Sequence, residues 1–197
     1  VIILARDFYL DSPDVVARKL LGKLLVRRIH GEVLAGRIVE AEAYFGVDDP
    51  AAHAFAGKTA RNAVLFGPPG VAYVYFIYGV HYCLNISCEP EGQAGCVLLR
   101  ALEPVKGQAT MARLRGLPAD AAARLVASGP GKLCRALGIA RAQHNGVDVT
   151  EAAAELRVVD DGFAAGEIGE GPRVGIRKAA ERPLRFWLSG NTCVSRR

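Results

Sequence analysis

Residues 71–87 read VAYVYFIYGVHYCLNIS, a stretch that holds four of the chain's six tyrosines, Tyr73, Tyr75, Tyr78 and Tyr82. Aromatic and β-branched residues favour extended backbone, and Gly79 offers a place to turn. The stretch therefore reads as a β-hairpin: a strand over 71–77, a tip at Tyr78-Gly79 and a return strand through Ser87. Side chains two apart share a strand face, so Tyr73, Tyr75 and Ile77 point one way and Val74 and Phe76 the other. A hairpin buried in a core would normally carry small polar residues at its tip. Here the tip carries Ile77, Tyr78, Val80 and His81. Exposed apolar bulk of this kind marks a contact surface, and a partner protein, a membrane surface or a base stack would each receive it.

Working outward, 197 residues, 51% of them hydrophobic, suffice for one domain with a real core, spanning 1–197. No apolar run approaches the roughly 18 residues of a membrane span. Arg6 and Asp7 interrupt the opening VIILARDFYLDS where a secretory signal would continue. The expectation is a soluble, intracellular protein. Cys83, Cys88, Cys96, Cys134 and Cys193 are odd in number and contain no C-x-x-C pair, so free thiols are expected and a zinc site is not. A net charge of +5 leans mildly toward polyanionic partners.

Ser12-Pro13-Asp14 carries the start signals of a helix, with Ser12 as the cap, and Gly22 ends it. Strands are expected over 24–29 and 32–44, joined at His30-Gly31. A short helical piece over 61–66 leads through GPPG into the hairpin. Residues 96–102, CVLLRAL, form a strand whose Arg100 needs a carboxylate or an anionic ligand. Helices are expected over 105–115, 119–126 and 133–137, a turn at 144–146, and strands over 156–159, 173–176 and 184–188. The GPGK run at 129–132 lacks the spacing of a nucleotide-binding P-loop, though its amides suit a phosphate. The last segment gathers Arg173, Arg177, Lys178, Arg182, Arg185, Arg196 and Arg197 against one acid, Glu181. An anionic partner belongs there.

On the strand over 32–44, Glu40, Glu42 and Tyr44 share one face. A solvated polar face is the plain reading. Against it, Tyr44 lies on that face and small Ala41 and Ala43 flank Glu42, leaving room for approach. A carboxylate in a partly apolar setting has a raised pKa, suited to acid–base work near neutrality.

Together VEAEAY at 39–44, AAH at 51–53, YVYFIYGVHYCLN at 73–85, CVLLRALEP at 96–104, SGPGKL at 128–133 and GPRVGI at 171–176 resemble the alkyladenine (3-methyladenine) DNA glycosylases. The ordered motifs run from about Asp7 to Leu188, and their order and spacing make the match specific. The Ala/Arg-rich composition points to a bacterial member. The resemblance implies excision of alkylated or deaminated purines from double-stranded DNA by a monomer that needs no metal, organic cofactor or lyase step. It would work in the bacterial cytoplasm at the nucleoid, or in the nucleus of a eukaryote. It implies Glu42 as the base that activates water, with Arg100 and the backbone carbonyl of Val174 placing that water and a phosphate. Tyr44, His53 and Tyr75 would line the base pocket, Asn85 its floor, and Tyr78 would wedge into the duplex. Gly79 and His81 beside the wedge, Lys132 in the GPGK run, and Arg173, Arg177 and Arg182 of the basic end are the DNA-contacting candidates. The fold class is then α/β of the α+β kind: one compact domain, a curved, mostly antiparallel sheet surrounded by helices, and the hairpin entering the minor groove.

Two other readings compete. Glu40, Glu42 and His53 could hold a divalent ion in a metal-dependent hydrolase, whose activity EDTA would abolish. A basic tail with an aromatic hairpin could equally be a nucleic-acid binding module without chemistry, indifferent to the loss of Glu42.

Overall fold

The start signals at Ser12-Pro13 do open a helix. In the computed structural model, which describes residues 1–195, a two-residue strand β1 (Ile2–Ile3) and a 3-10 turn over Arg6–Tyr9 precede α1 (Pro13–Leu20). Proline supplies the first helical residue, but the Ser12 hydroxyl donates to the Asp14 carboxylate at 2.6 Å and caps no backbone N–H. The strands β2 (Leu24–Ile29) and β3 (Glu32–Tyr44) fall where alternation placed them. They are followed by 3-10 turns over Gly46–Asp48 and Ala63–Phe66, then β4 (Ala72–Ile77), β5 (His81–Cys88) and β6 (Gly95–Lys106). Four short helices come next: α2 (Gln108–Arg115), α3 (Ala123–Val126), α4 (Pro130–Ala136) and α5 (Arg141–His144). The chain closes with β7 (Leu156–Asp160), β8 (Ile168–Gly171) and β9 (Arg185–Leu188).

All nine strands join one antiparallel sheet in the order β1-β7-β2-β3-β6-β5-β4. The sheet forks at β3. Its first half pairs with β2, while Glu40–Glu42 pairs with β9, which in turn carries β8. Register breaks between Ile38 and Ala41 interrupt the β3–β6 ladder at the fork, the kind of irregularity that bends and twists a strand.

The pleat divides labour between the two faces. Ala41, Ala43, Val97, Leu99, Leu84, Ile86 and Val74 face the main core with Val16, Ala17 and Leu20 of α1. The alanines beside Glu42 thus admit the helix, not a ligand. On the other face, register aligns Glu42 with Leu98, Leu98 with Asn85 and Asn85 with Tyr73, a single rung across four strands. Glu42 and Tyr73, at the two ends of that rung, share a face only through this register.

Several expectations need correction. The strand β6 runs on to Lys106, with Pro104 paired to Gly36 and Lys106 to Ala35, so the next helix begins at Gln108 and not at 105. Gly107, at φ +76°, makes the corner. Of 119–126 only Ala123–Val126 is helical, because the Ala121 amide turns back onto the Pro118 carbonyl at 3.0 Å. No strand forms over 173–176. Pro172 cannot donate to a ladder, Gly175 sits at φ +78°, and the Val174 N–H is spent on a side chain. The strand lies earlier, at β8, a segment left as loop by the sequence, as were β1 and α5.

Gly107 gives the fold's sharpest local test. A Cβ there would meet Leu34 Cδ2 at 2.4 Å, on backbone already in the left-handed region. Gly107→Ala is expected to cost about 2–4 kcal/mol of unfolding free energy, from strain and overpacking together. A urea unfolding curve reads this directly, and an unchanged midpoint would remove the corner from the account.

Candidate active site

Two carboxylates are buried without exposure on the site face of β3, Glu40 and Glu42. Such groups persist only when paired and hydrogen-bonded. Glu42 accepts from the Tyr44 hydroxyl at 2.9 Å and from the Val174 backbone N–H at 2.7 Å, and Arg100 Nη1 lies 3.2 Å from its Oε1. Glu40 Oε1 accepts from Arg100 Nε and Arg185 Nε, each at 2.8 Å, and its Oε2 from the Ser195 N–H at 2.6 Å. Arg100 is therefore the hinge between the two carboxylates, and it also reaches the Ser195 hydroxyl at 3.3 Å.

The two acids titrate apart. Burial raises both, but at Glu40 the Arg100 charge and the bonds from Ser195 outweigh it and leave the group below the ordinary glutamate range. At Glu42 burial prevails over Arg100, the Val174 amide and Tyr44, with the charge of Glu40 adding to the rise. A pair of carboxylates pushed in opposite directions is a recurrent mark of acid–base chemistry. Glu42 is thus the one pushed toward binding a proton, and Glu40 the one pushed toward staying ionised.

Beside this cluster lies a cavity of about 130 Å³ lined by Tyr44, His53, Tyr73, Tyr75, Ile77, Asn85, Cys96 and Ile176 among others. A second cavity of about 280 Å³ shares Tyr44, Tyr75, Ile77 and Ile176 and extends to Tyr78, His81, Arg100 and Val174. The two form one cleft running from the sheet face to the hairpin. His53 packs edge-on against Tyr75, ring centroids 4.4 Å apart, and its Nδ1 pairs with the Tyr73 hydroxyl at 3.0 Å. Desolvation, helped by the Arg61 charge, lowers the His53 pKa and keeps the ring neutral near pH 7. Asn85 is held at the floor, its amide donating to the Tyr73 carbonyl at 3.2 Å. Aromatic walls with few polar groups suit a flat heterocycle.

The hairpin tip is shaped by conformation as much as by composition. Tyr78 at φ +53° and Gly79 at φ +69° both lie in the left-handed region, and the Val80 N–H closes the turn onto Ile77 at 3.3 Å. Glycine adopts this freely; tyrosine does so at a cost of about 1–2 kcal/mol. Tyr78 is 80% and Val80 67% exposed. The tip projects as expected.

Most sequence candidates gather here: Glu42, Tyr44, His53, Tyr75, Asn85, Arg100 and Val174 around the cleft, with Tyr78, Gly79 and His81 at its mouth. His81 packs against Gly131, where a Cβ would sit 2.9 Å from the imidazole, so the hairpin adjoins Lys132 at the exposed start of α4. Val174 meets Glu42 through its amide, a contact separate from the water that the resemblance assigns to its carbonyl. Arg100 finds carboxylate partners, Glu40 first. Arg177 is exposed and Arg182 half-buried over the Phe45 ring.

The basic end is not uniformly a surface. Arg173 is buried: it forks onto both oxygens of Asp49, with Nη2 to Oδ1 at 2.9 Å, donates to the Ala43 carbonyl, and lies over the Tyr44 ring. Arg185 is buried beside Glu40. Both are internal counter-ions: Arg173 meets Asp49 in the loop after β3, and Arg185 meets Glu40 on β3. Arg196 and Arg197 lie outside the described residues. The metal-hydrolase reading loses its ligands, since Glu40 is taken by two guanidiniums and an amide, and His53 by Tyr73. Among the described residues no three His, Cys, Asp or Glu side chains are placed to share an ion.

Sequence reading missed Tyr73, Asp49, Arg185 and Ser195. Tyr73 shares its strand face with Tyr75 and could have been found by that alternation. Asp49 sat in a run read as loop, 124 positions from its partner. Ser195 carries no signal at all.

The methylpurine-DNA glycosylase family model matches residues 7–192. Relatives provisionally named 3-methyladenine DNA glycosylase include one from Koribacter versatilis, 57% identical over 98% of this chain and 92% of its own length. Another, from Methanocella arvoryzae, is 50% identical over 99% of this chain and 96% of its own. A third, from Rhodopseudomonas palustris, is 49% identical over 98% and 90%.

Arg173→Met separates an internal from a surface role. Leaving Asp49 buried without its fork should cost about 3–5 kcal/mol of stability, read as a lowered urea midpoint. Asp49 is held below its ordinary pKa despite burial, so its contribution is present near neutrality and lost as pH falls through that depressed value. The variant's deficit should shrink in acid accordingly. Weakened DNA binding at unchanged stability would mean that Arg173 instead faces the partner.

Proposed function

The chain belongs to the methylpurine-DNA glycosylase family, a family of hydrolases of N-glycosyl bonds in DNA, and on that premise we propose that it removes alkylated or deaminated purines by base flipping and activated water. The observation that carries the reading is the buried Glu42 carboxylate, its pKa raised, set against an aromatic cleft that opens at a projecting hairpin.

A base inside the stack offers no path for attack, so the nucleotide must rotate out at a cost of a few kcal/mol. Tyr78, presented on a rigid turn, enters the minor groove and fills the gap, offsetting lost stacking. The extruded purine lies with Tyr44 on one side and His53 and Tyr75, already in contact with each other, on the opposite one. Aromatic faces favour electron-poor and cationic rings, the property shared by 3-methyladenine and 7-methylguanine; hypoxanthine and ethenoadenine enter as neutral guests. Asn85 at the floor disfavours the exocyclic amine of guanine.

In the chemical step Glu42 takes a proton from water as the oxygen closes on C1′. The C1′–N bond breaks and its electron pair leaves with the purine. The developing oxocarbenium charge is stabilised by the same carboxylate, as in inverting sugar hydrolysis. A cationic lesion departs neutral; a neutral one acquires a proton from solvent or the pocket. No amine attacks the sugar, so an intact abasic strand remains. His81, Lys132, Arg177 and Arg182, with the Gly79 backbone, supply the phosphate contacts, and a monomer suffices.

The test is base release from a duplex carrying one hypoxanthine or ethenoadenine, with an alkylated-DNA control, in EDTA. Wild type should leave abasic sites without strand cleavage. Glu42→Gln should bind the duplex as before and lose at least about 100-fold in turnover. Wild-type turnover should fall on the acid side as Glu42 protonates, at a pH above that of an ordinary glutamate. Tight binding without release from any of these would favour the non-catalytic module. Tyr78→Gly should relieve the turn, stabilising the protein by up to about 1 kcal/mol, while weakening flipping as read by 2-aminopurine fluorescence beside the lesion. Undiminished flipping would remove Tyr78 from the wedge role.

A further inference from the structure

The proposed reaction needs one carboxylate, yet β3 buries two. Glu40 has no exposure and touches neither cavity. Among the described residues its hydrogen bonds come from donors: two guanidinium Nε–H groups and one backbone N–H. An acceptor-only carboxylate in such a shell is held ionised. Its effect on the neighbouring base is geometric as well as electrostatic. Because Arg100 gives its Nε to Glu40 and its Nη2 to the Ser195 hydroxyl, only Nη1 is left near Glu42, at 3.2 Å. A guanidinium free to turn would present two parallel N–H groups and clamp Glu42 bidentately, the strongest arrangement for an ionised carboxylate and the one that most weakens it as a base.

From this we propose that Glu40 is a positioning residue: by holding Arg100 side-on, with Arg185 as second counter-ion, it leaves Glu42 touched by a single guanidinium N–H and so preserves it as a proton acceptor. The proposal rests on the reading of Glu42 as the base. The charged and titratable groups around Glu42 are Glu40 and Tyr44 on its own strand, Arg100 on β6, Cys83 on β5, Arg173 ahead of the Val174 amide, and Arg185 on β9, opposite Glu42 in register. Among the described residues Arg100 and Arg185 are the guanidiniums that meet Glu40. Removing the Glu40 charge takes a negative neighbour from Glu42; removing Arg185 takes a positive one.

The experiment is the pH dependence of single-turnover base release, with enzyme in excess, for wild type, Glu40→Gln and Arg185→Gln. The carboxyl carbon of Glu42 is titrated in parallel by NMR in the DNA-free proteins. Glutamine keeps the shape of Glu40 and an oxygen for Arg100 but not the charge. The acidic limb should move to lower pH in Glu40→Gln by about one unit, and the plateau rate should drop several-fold as the base weakens. In Arg185→Gln the limb should move to higher pH. If Glu40→Gln fails to fold, the upward shift in Arg185→Gln carries the test alone. Proportional loss of rate in both variants with the limb and the Glu42 titration at their wild-type pH would reduce Glu40 to a structural role and overturn the proposal. The titration also separates two failures. Wild type without base release sinks the glycosylase reading, whereas an unmoved Glu42 titration sinks the role of Glu40.

Discussion

Two carboxylates and two guanidiniums packed against one strand, with no bulk water to screen them, are the constraint that the architecture answers. Such a cluster is a weak source of net stability, because desolvating four charges consumes most of what their attraction returns. What it supplies is specificity. Glu40 must meet β6 through Arg100, β9 through Arg185, and the segment ending at Ser195 through a backbone amide. A sheet slipped by one residue would leave buried charges unpaired, an error of several kcal/mol. The fork at β3 follows from this: one strand must serve two neighbours along its length, and its register breaks at Glu40, where they converge.

The hairpin obeys the opposite logic. It leaves the body of the sheet and places its largest side chain in solvent, on backbone that tyrosine disfavours. Strain at an exposed turn and bulk at the same residue fit the proposed role of Tyr78 as a probe of the duplex. The rung Glu42–Leu98–Asn85–Tyr73 ties this probe to the chemistry. Because β4 and β5 continue out of the site face into the tip, Tyr78 and the strand of Glu42 are joined through backbone ladders instead of flexible side chains.

Much of this was legible in the sequence. Period-two alternation placed β2 and β3 at their observed bounds and assigned Glu40, Glu42 and Tyr44 to one face. The density of tyrosine gave the hairpin, and Tyr78-Gly79 its tip. The failures have a common cause. Residues 173–176 look like a strand, but Pro172 and Gly175 bracket them and the Val174 amide is drawn to a carboxylate 132 positions away. Helix propensity over 105–115 gave way to strand pairing at Pro104–Lys106. Arg173 and Arg185 looked like surface charge because nothing local distinguishes a solvated arginine from a buried one. That depends on a partner acid, and Asp49 lies 124 positions from Arg173 while Glu40 lies 145 from Arg185. Local propensity reads periodicity; it does not read pairing across the fold.

Those two long-range pairs also explain why the last quarter of the chain is needed at all. Its segment 172–184 is largely irregular and would fray if left to its own backbone bonds. Asp49 anchors Arg173 from below and Glu40 anchors Arg185, so the amide between them in space, Val174, is delivered to Glu42 at 2.7 Å. An irregular segment pinned at two points can set a group more finely than a regular strand, whose amides must point at a neighbouring ladder. The ion pairs that cost the fold most in desolvation are thus the ones that let a loop complete the environment of the base. Basic residues in this region therefore divide by depth: buried Arg173 and Arg185 hold the loop in place, and exposed Arg177 and Lys178 remain open to solvent.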